Sequence, residues 1–264
     1  MKKVYLSVFV LSALFFNGCS DDFLEVDQTE TISTADLALF NNDEGAKSFV
    51  TSIYSKFLDW NMSSFSWNGM SSIASDDADK GSSPGDTGTD KDLMDALTYN
   101  ASSISVQEVF EAYYQGINRC NQALYYIPQL NNADENLRAR LIGEAKFLRA
   151  FMYFTLVKCY GGVPIVDHIP NPSSEADRVM QLTRKTKAEV YAFIEQDLND
   201  AIAALPDRGS YAPSERSRAS VGAARALLAK VSLYQEKWQE VINNCDAVTG
   251  YSLATDYASQ YRVS

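Results

Sequence analysis

Two apolar stripes share one helix-length stretch of this chain, and they restrict its fold more than any other feature. From a start signal at 132–135 to Cys159, Leu137, Leu141, Leu148, Met152 and Leu156 fall on one line at helical spacing. Phe147, Phe151 and Phe154 fall on another. A helix with one apolar stripe needs one neighbour; two stripes require neighbours on two sides, as in a stacked helical array. Both stripes are therefore expected to be buried, and deleting the Phe151 ring to cost about 3–5 kcal/mol.

The same period recurs along the chain. Residues 46–60 put Phe49, Ile53, Phe57 and Trp60 on one face, with Trp60 expected in the core. Ser105 to Glu108 reads as a capping box, with Ile104 and Val109 at the flanking staple positions. The helix it opens carries Phe110, Tyr113, Ile117, Cys120, Leu124 and Ile127 on one face, and Pro128 lies near its end. Gly161-Gly162 supplies a left-handed stop, after which VPIVD leaves as an extended segment. A second capping box, Thr186 to Glu189, opens a helix with Val190, Ile194, Leu198, Ala201 and Leu205, closed by Pro206. Helices at 220–235 and 237–248 follow. No run of alternating strands occurs, so the expected class is all-α. In the last pair Leu228, Ala229, Trp238 and Val241 fit the tetratricopeptide pattern, whose aromatic fills the groove between two helices. The expected architecture is a tetratricopeptide-like helical hairpin array with long irregular loops.

The N-terminus indicates compartment. Lys2 and Lys3 precede a 13-residue, mostly apolar stretch at 4–16. A membrane-spanning helix needs about 20, whereas a secretory signal needs about 7–15 before small residues. Here Gly18 is followed by Cys19, which resembles a bacterial lipobox with Phe16 where leucine is usual. Residues 1–18 read as a lipoprotein signal, Cys19 as the lipidation site, and 19–264 as one α-helical domain. Each buried acyl CH2 contributes about 0.8 kcal/mol, so several chains on one cysteine anchor stably. The acids of CSDDFLE suit either a surface-export tag or a solvated tether.

Charge removes some partners. Without Lys2 and Lys3, 21 basic residues face 34 acidic ones, a net charge of −13. Such a body repels nucleic acid and anionic headgroups and suits neutral or cationic ligands. Cys120, Cys159 and Cys245 form no C-x-x-C pair, so zinc and thioredoxin-like sites are unsupported, and they read as free thiols. His168 is the only histidine, and no nucleophile motif accompanies it. No cofactor is called for.

Residues 61–98 change texture, being rich in Ser, Gly and Asp, and read as one long loop. Trp60 and Trp67 offer aromatic faces, although the spacing of Trp60 favours the core, and Asp76, Asp77, Asp79 and Lys80 offer polar partners for sugar hydroxyls. A solvated connector is the plain alternative. Calcium is another, although the spacing is not that of an EF-hand.

INRCNQALYYIPQL, GEAKFLRAFMYFTLVKCYGGVPIV, TRKTKAEVYAFIEQDLNDAIAALP and ARALLAKVSLYQEKWQEVINNCDAV occur in that order. With the lipobox, they resemble the SusD/RagB family of outer-membrane nutrient-binding lipoproteins. The resemblance implies an all-α fold and a surface lipoprotein, lipid-anchored in the outer membrane. It also implies capture of oligosaccharide or polysaccharide, without catalysis, for a SusC-like TonB-dependent transporter. A similar Ser-Asp stretch after the family's first helix points to Ser75-Asp76 near the ligand. Family members carry a further C-terminal half, so this chain is expected to be an N-terminal portion. The alternative is a tetratricopeptide-type adaptor that binds only protein; an enzyme stands third.

Overall fold

A computed structural model describes residues 32–83, 86 and 88–258. Among them the regular structure is helical throughout. The first helix, α1 (Thr34–Leu39), belongs to a separate unit that ends at Leu39, and Ser33 caps it through the amide of Asp36 (3.1 Å).

The second unit begins at Phe40 and is built on three long helices, α6 (Ile104–Tyr126), α7 (Glu135–Tyr160) and α9 (Lys187–Ala204). The Asp134 carboxylate accepts from the Leu137 amide (2.8 Å) and starts α7. Gly161, at φ 75°, ends it in a conformation that residues with a Cβ rarely adopt. Helices α6 and α9 flank α7, as its two stripes predict. Leu141, Met152 and Leu156 are fully buried, as are Ala145 and Tyr153. Gly143 permits the close crossing of α7 and α9, since a Cβ there would stand 2.8 Å from that of Ala204. Phe154 is buried as expected, but Phe147 and Phe151 are half-buried, the latter meeting Phe57 edge-on at 5.5 Å.

The caps divide into two outcomes. The Thr186–Glu189 box forms in full: Thr186 Oγ1 accepts from the Glu189 amide (3.2 Å), and Glu189 accepts from the Thr186 amide (2.8 Å). The Ser105–Glu108 box does not form. Ser103 is the N-cap of α6, while the Ser105 hydroxyl and amide both donate to Asp90 (2.5 and 3.2 Å). Glu108 accepts from the Ser66 hydroxyl instead. Both side chains have been recruited by the segment before α6.

That segment corrects the reading of 61–98 as one long loop. The helix over 46–60 begins earlier and stops sooner, as α2 (Asp43–Lys56), because Lys56 donates to Asp59 (2.7 Å) and Asp59 caps a new helix at the Asn61 amide (3.0 Å). Short helices α3 (Trp60–Ser63) and α4 (Phe65–Asn68), a π-turn (Gly69–Ile73) and α5 (Thr89–Asp95) follow. Met62, Ser66 and Met94 anchor them against α6, at most 1% exposed. Trp60, placed in the core by its spacing, is 64% exposed, since the break at Asp59 turns it outward.

Buried polar groups tie the helices together. Arg149 of α7 holds Asp197 of α9 through two bonds (2.7 and 2.9 Å), and donates to Asn121 Oδ1 (2.8 Å) and the Asp167 carbonyl (2.9 Å). Glu144 pairs with Arg218 (3.1 Å) and accepts from the Tyr54 hydroxyl (2.9 Å). Burial pushes the Tyr54 hydroxyl far above its ordinary range. The extended segment after Gly162 is pinned by Tyr153, whose hydroxyl accepts from the Val166 amide (2.8 Å).

Past this centre lie α8 (Glu175–Leu182), α10 (Val221–Leu233) and α11 (Trp238–Asp246). Helices α10 and α11 form the expected hairpin, with Leu228 and Ala229 buried. Trp238, expected in the groove between them, is 59% exposed instead.

Candidate functional site

The short helices before α6 carry an exposed aromatic ridge. Trp60 and Phe65 stack, ring centroids 5.4 Å apart and planes 18° from parallel. Phe65 is held from behind by the buried Lys91, whose ammonium lies 3.9 Å from the ring centroid. Cation and ring attract through the ring quadrupole. Lys91 also donates to Ser105 Oγ (2.5 Å) and pairs with Asp90 (3.2 Å). Burial works to raise the Asp90 carboxyl, but Ser105 and Lys91 outweigh it and hold the group below its ordinary value. Leaving large apolar side chains in water forgoes about 1.5–3 kcal/mol each. An exposed stack built on a buried cation therefore points to contact with something else.

Two cavities adjoin the ridge, and Trp60, Phe65, Gly88 and Lys91 belong to both. The smaller, about 180 Å³, adds Asn61, Thr89, Asp90, Ile104 and Glu108. The larger, about 450 Å³, adds polar groups from Ser64, Asn68, Lys80, Ser82 and Asp86. Aromatic walls with a few polar groups suit a small organic ligand; such sites run about 300–1,000 Å³, a range that the larger cavity meets. Lys80 sits between Asp86 and Asp92, 2.7 Å from each. Its hydrogen bond holds the Asp86 carboxyl far below the usual carboxylate range.

Of Trp67, Asp76, Asp77, Asp79 and Lys80, Lys80 alone lines these cavities. Trp67 is half-buried and tilts against the buried Tyr113, centroids 6.0 Å apart. Asp76, Asp77 and Asp79 are exposed beyond the π-turn, where the Asp77 amide donates to Ser75 Oγ (3.2 Å). Phe65 carries no signal in the sequence, and Trp60, one of the two aromatic faces it offers, reads as core because it continues the apolar spacing of the preceding helix. The signal against a core position is the Lys56-x-x-Asp59 break just before Trp60. Among the described residues, no three His, Cys, Asp or Glu side chains form a metal-binding group. Cys19 lies outside the described residues.

A family model described as starch-binding and associating with the outer membrane matches residues 22–233. The chain belongs to the SusD-like family. It is 30% identical to SusD-like protein P2 of Formosa agariphila over 258 residues, 92% of this chain and 47% of that protein. It is 25% identical to a SusD-like protein of Bacteroides ovatus over 241 residues, 89% of this chain and 40% of the relative. A solved laminarin-binding SusD-like protein superposes with a TM-score of 0.72 at 29% identity, over 83% of this chain and 48% of that one. The chain thus spans less than half the length of these relatives. The all-α fold expected from the helical periods is the fold of this family.

Proposed function

We propose that this chain captures glycan on the outer membrane and passes it on unchanged, acting with a SusC-like TonB-dependent transporter. The observation that carries this reading is the exposed Trp60–Phe65 stack lining two polar-walled cavities. A sugar ring has C–H faces that pack on an aromatic plane and hydroxyls that need acceptors at the edge. Asn61, Thr89 and Glu108 in the smaller cavity, and Ser64, Asn68 and Asp86 in the larger, supply those partners. Support also comes from the family description as starch-binding and from the similar structure described as laminarin-binding.

Trp67, Asp76, Asp77 and Asp79 then extend the site only if ligand reaches past the π-turn; Trp60 replaces Trp67 as the main platform. In this reading residues 1–18 are a signal, Cys19 carries the lipid, and 19–264 form the glycan-binding portion. Capture rather than catalysis fits His168, whose ring is engaged by Asp167 (2.6 Å) and Asp177 (3.3 Å). Retention of the full chain on immobilised laminarin and starch, with Trp60→Ala as comparison, tests the proposal. Capture predicts retention that Trp60→Ala abolishes; no retention on any glycan of a broad panel overturns it. The exposed Trp238 and Ile242 of α11 favour the adaptor reading, which predicts no retention.

A further inference from the structure

The charge around the ridge is one-sided. Residues 61–98 hold seven aspartates and two lysines, and 57–118 contain no arginine. The cations near the stack are all committed. Lys80 is shared by Asp86 and Asp92, Lys91 is held by Asp90, Ser105 and the Phe65 ring, and Lys56 by Asp59 and Gln115. Asp90 in the smaller cavity is balanced by Lys91.

Glu108 in the same cavity is different. One of its oxygens accepts from the Ser66 hydroxyl, and among the described residues no Lys, Arg or His lies within ion-pair distance of it. Its carboxylate is an acceptor only, and it adds an uncompensated negative charge to a wall that Trp60 and Phe65 share.

Resting on the glycan-capture reading, we propose that Glu108 is a specificity-determining residue that admits uncharged sugar rings and rejects uronates and sulfated sugars. A ligand hydroxyl donates to the free Glu108 oxygen. A ligand carboxylate at the same place has no proton to donate at neutral pH and meets a like charge with no cation to offset it. Such repulsion in a half-exposed site is screened by salt, unlike a steric exclusion.

The test uses the full chain and matched pairs of soluble oligosaccharides, a neutral glucan and the same glucan oxidised to carboxylate at C6. Wild type is expected to prefer the neutral form by about tenfold or more. Glu108→Gln, which keeps the side-chain shape and an acceptor for Ser66, is expected to shrink that ratio toward one. Raising salt on the wild type should shrink it as well. A ratio unchanged by Glu108→Gln, whatever salt does, overturns the assignment while leaving glycan capture standing. The salt arm needs no variant: a wild-type ratio that salt leaves unchanged overturns the assignment even if Glu108→Gln misfolds. A wild type that binds neither form of any pair overturns glycan capture and this inference together.

Discussion

Arg149 and Asp197 meet as a two-bonded fork at the crossing of α7 and α9, both side chains at most 6% exposed. The fork's remaining N–H groups reach Asn121 on α6 and the carbonyl of Asp167, so one guanidinium joins three helices and the extended segment. Removing one partner strands a buried charge. Arg149→Met is expected to lower unfolding stability by about 3–5 kcal/mol, whereas Arg149→Met with Asp197→Leu costs less than the single change. Urea unfolding of the two variants checks this; equal losses would contradict it.

The two stripes of α7 are unequal. Phe154→Ala removes a fully packed ring and is expected to cost about 3–5 kcal/mol. Phe151 is half-buried, so Phe151→Ala should cost roughly half as much. Equal destabilisation in the same unfolding assay would show that the Phe57–Phe151 side is as enclosed as the other.

His168 supplies a pH readout, because it is the only histidine. Hydrogen bonding to Asp167, then to Asp177, raises the imidazole above its ordinary value, while Asp177 is lowered. The folded state therefore binds the proton more tightly than the unfolded one. The stabilisation is fully present below about pH 6.5 and disappears as pH rises through the folded value. Asp177→Asn should move the single imidazole NMR titration down toward the ordinary value. A wild-type midpoint at or below about 6.5 would contradict the clamp.

For the proposed anchor, Cys19→Ala is expected to release the protein from the membrane fraction and abolish incorporation of labelled palmitate. Persistence of the acyl label in that variant would remove Cys19 as the attachment site.

What could be read from the chain followed its repeating physics. Leu141, Met152 and Leu156 repeat at one angular position and Phe154 lies on the second stripe, so burial against neighbours on two sides was legible without coordinates. Thr186 and Glu189 form their box because both partners lie within one turn. The site failed the same method. Ser105 and Glu108 have the spacing of a cap, yet Asp90 and Ser66 compete for them from 15 and 42 residues away. Trp60 has the spacing of a core residue, but the Lys56–Asp59 contact ends the helix first. Long-range recruitment of polar side chains leaves no period in the sequence.

The central claim, that Trp60 is the ligand platform, is tested most directly by fluorescence. Trp67→Phe with Trp238→Phe leaves Trp60 as the sole tryptophan, and Trp60→Phe with Trp238→Phe leaves Trp67. Titrating each with a neutral glucan oligosaccharide should change the emission of the Trp60 protein saturably, and leave that of the Trp67 protein, which packs on Tyr113, largely unmoved. Saturable binding seen calorimetrically with no change in Trp60 emission, or a response confined to Trp67, would contradict the account.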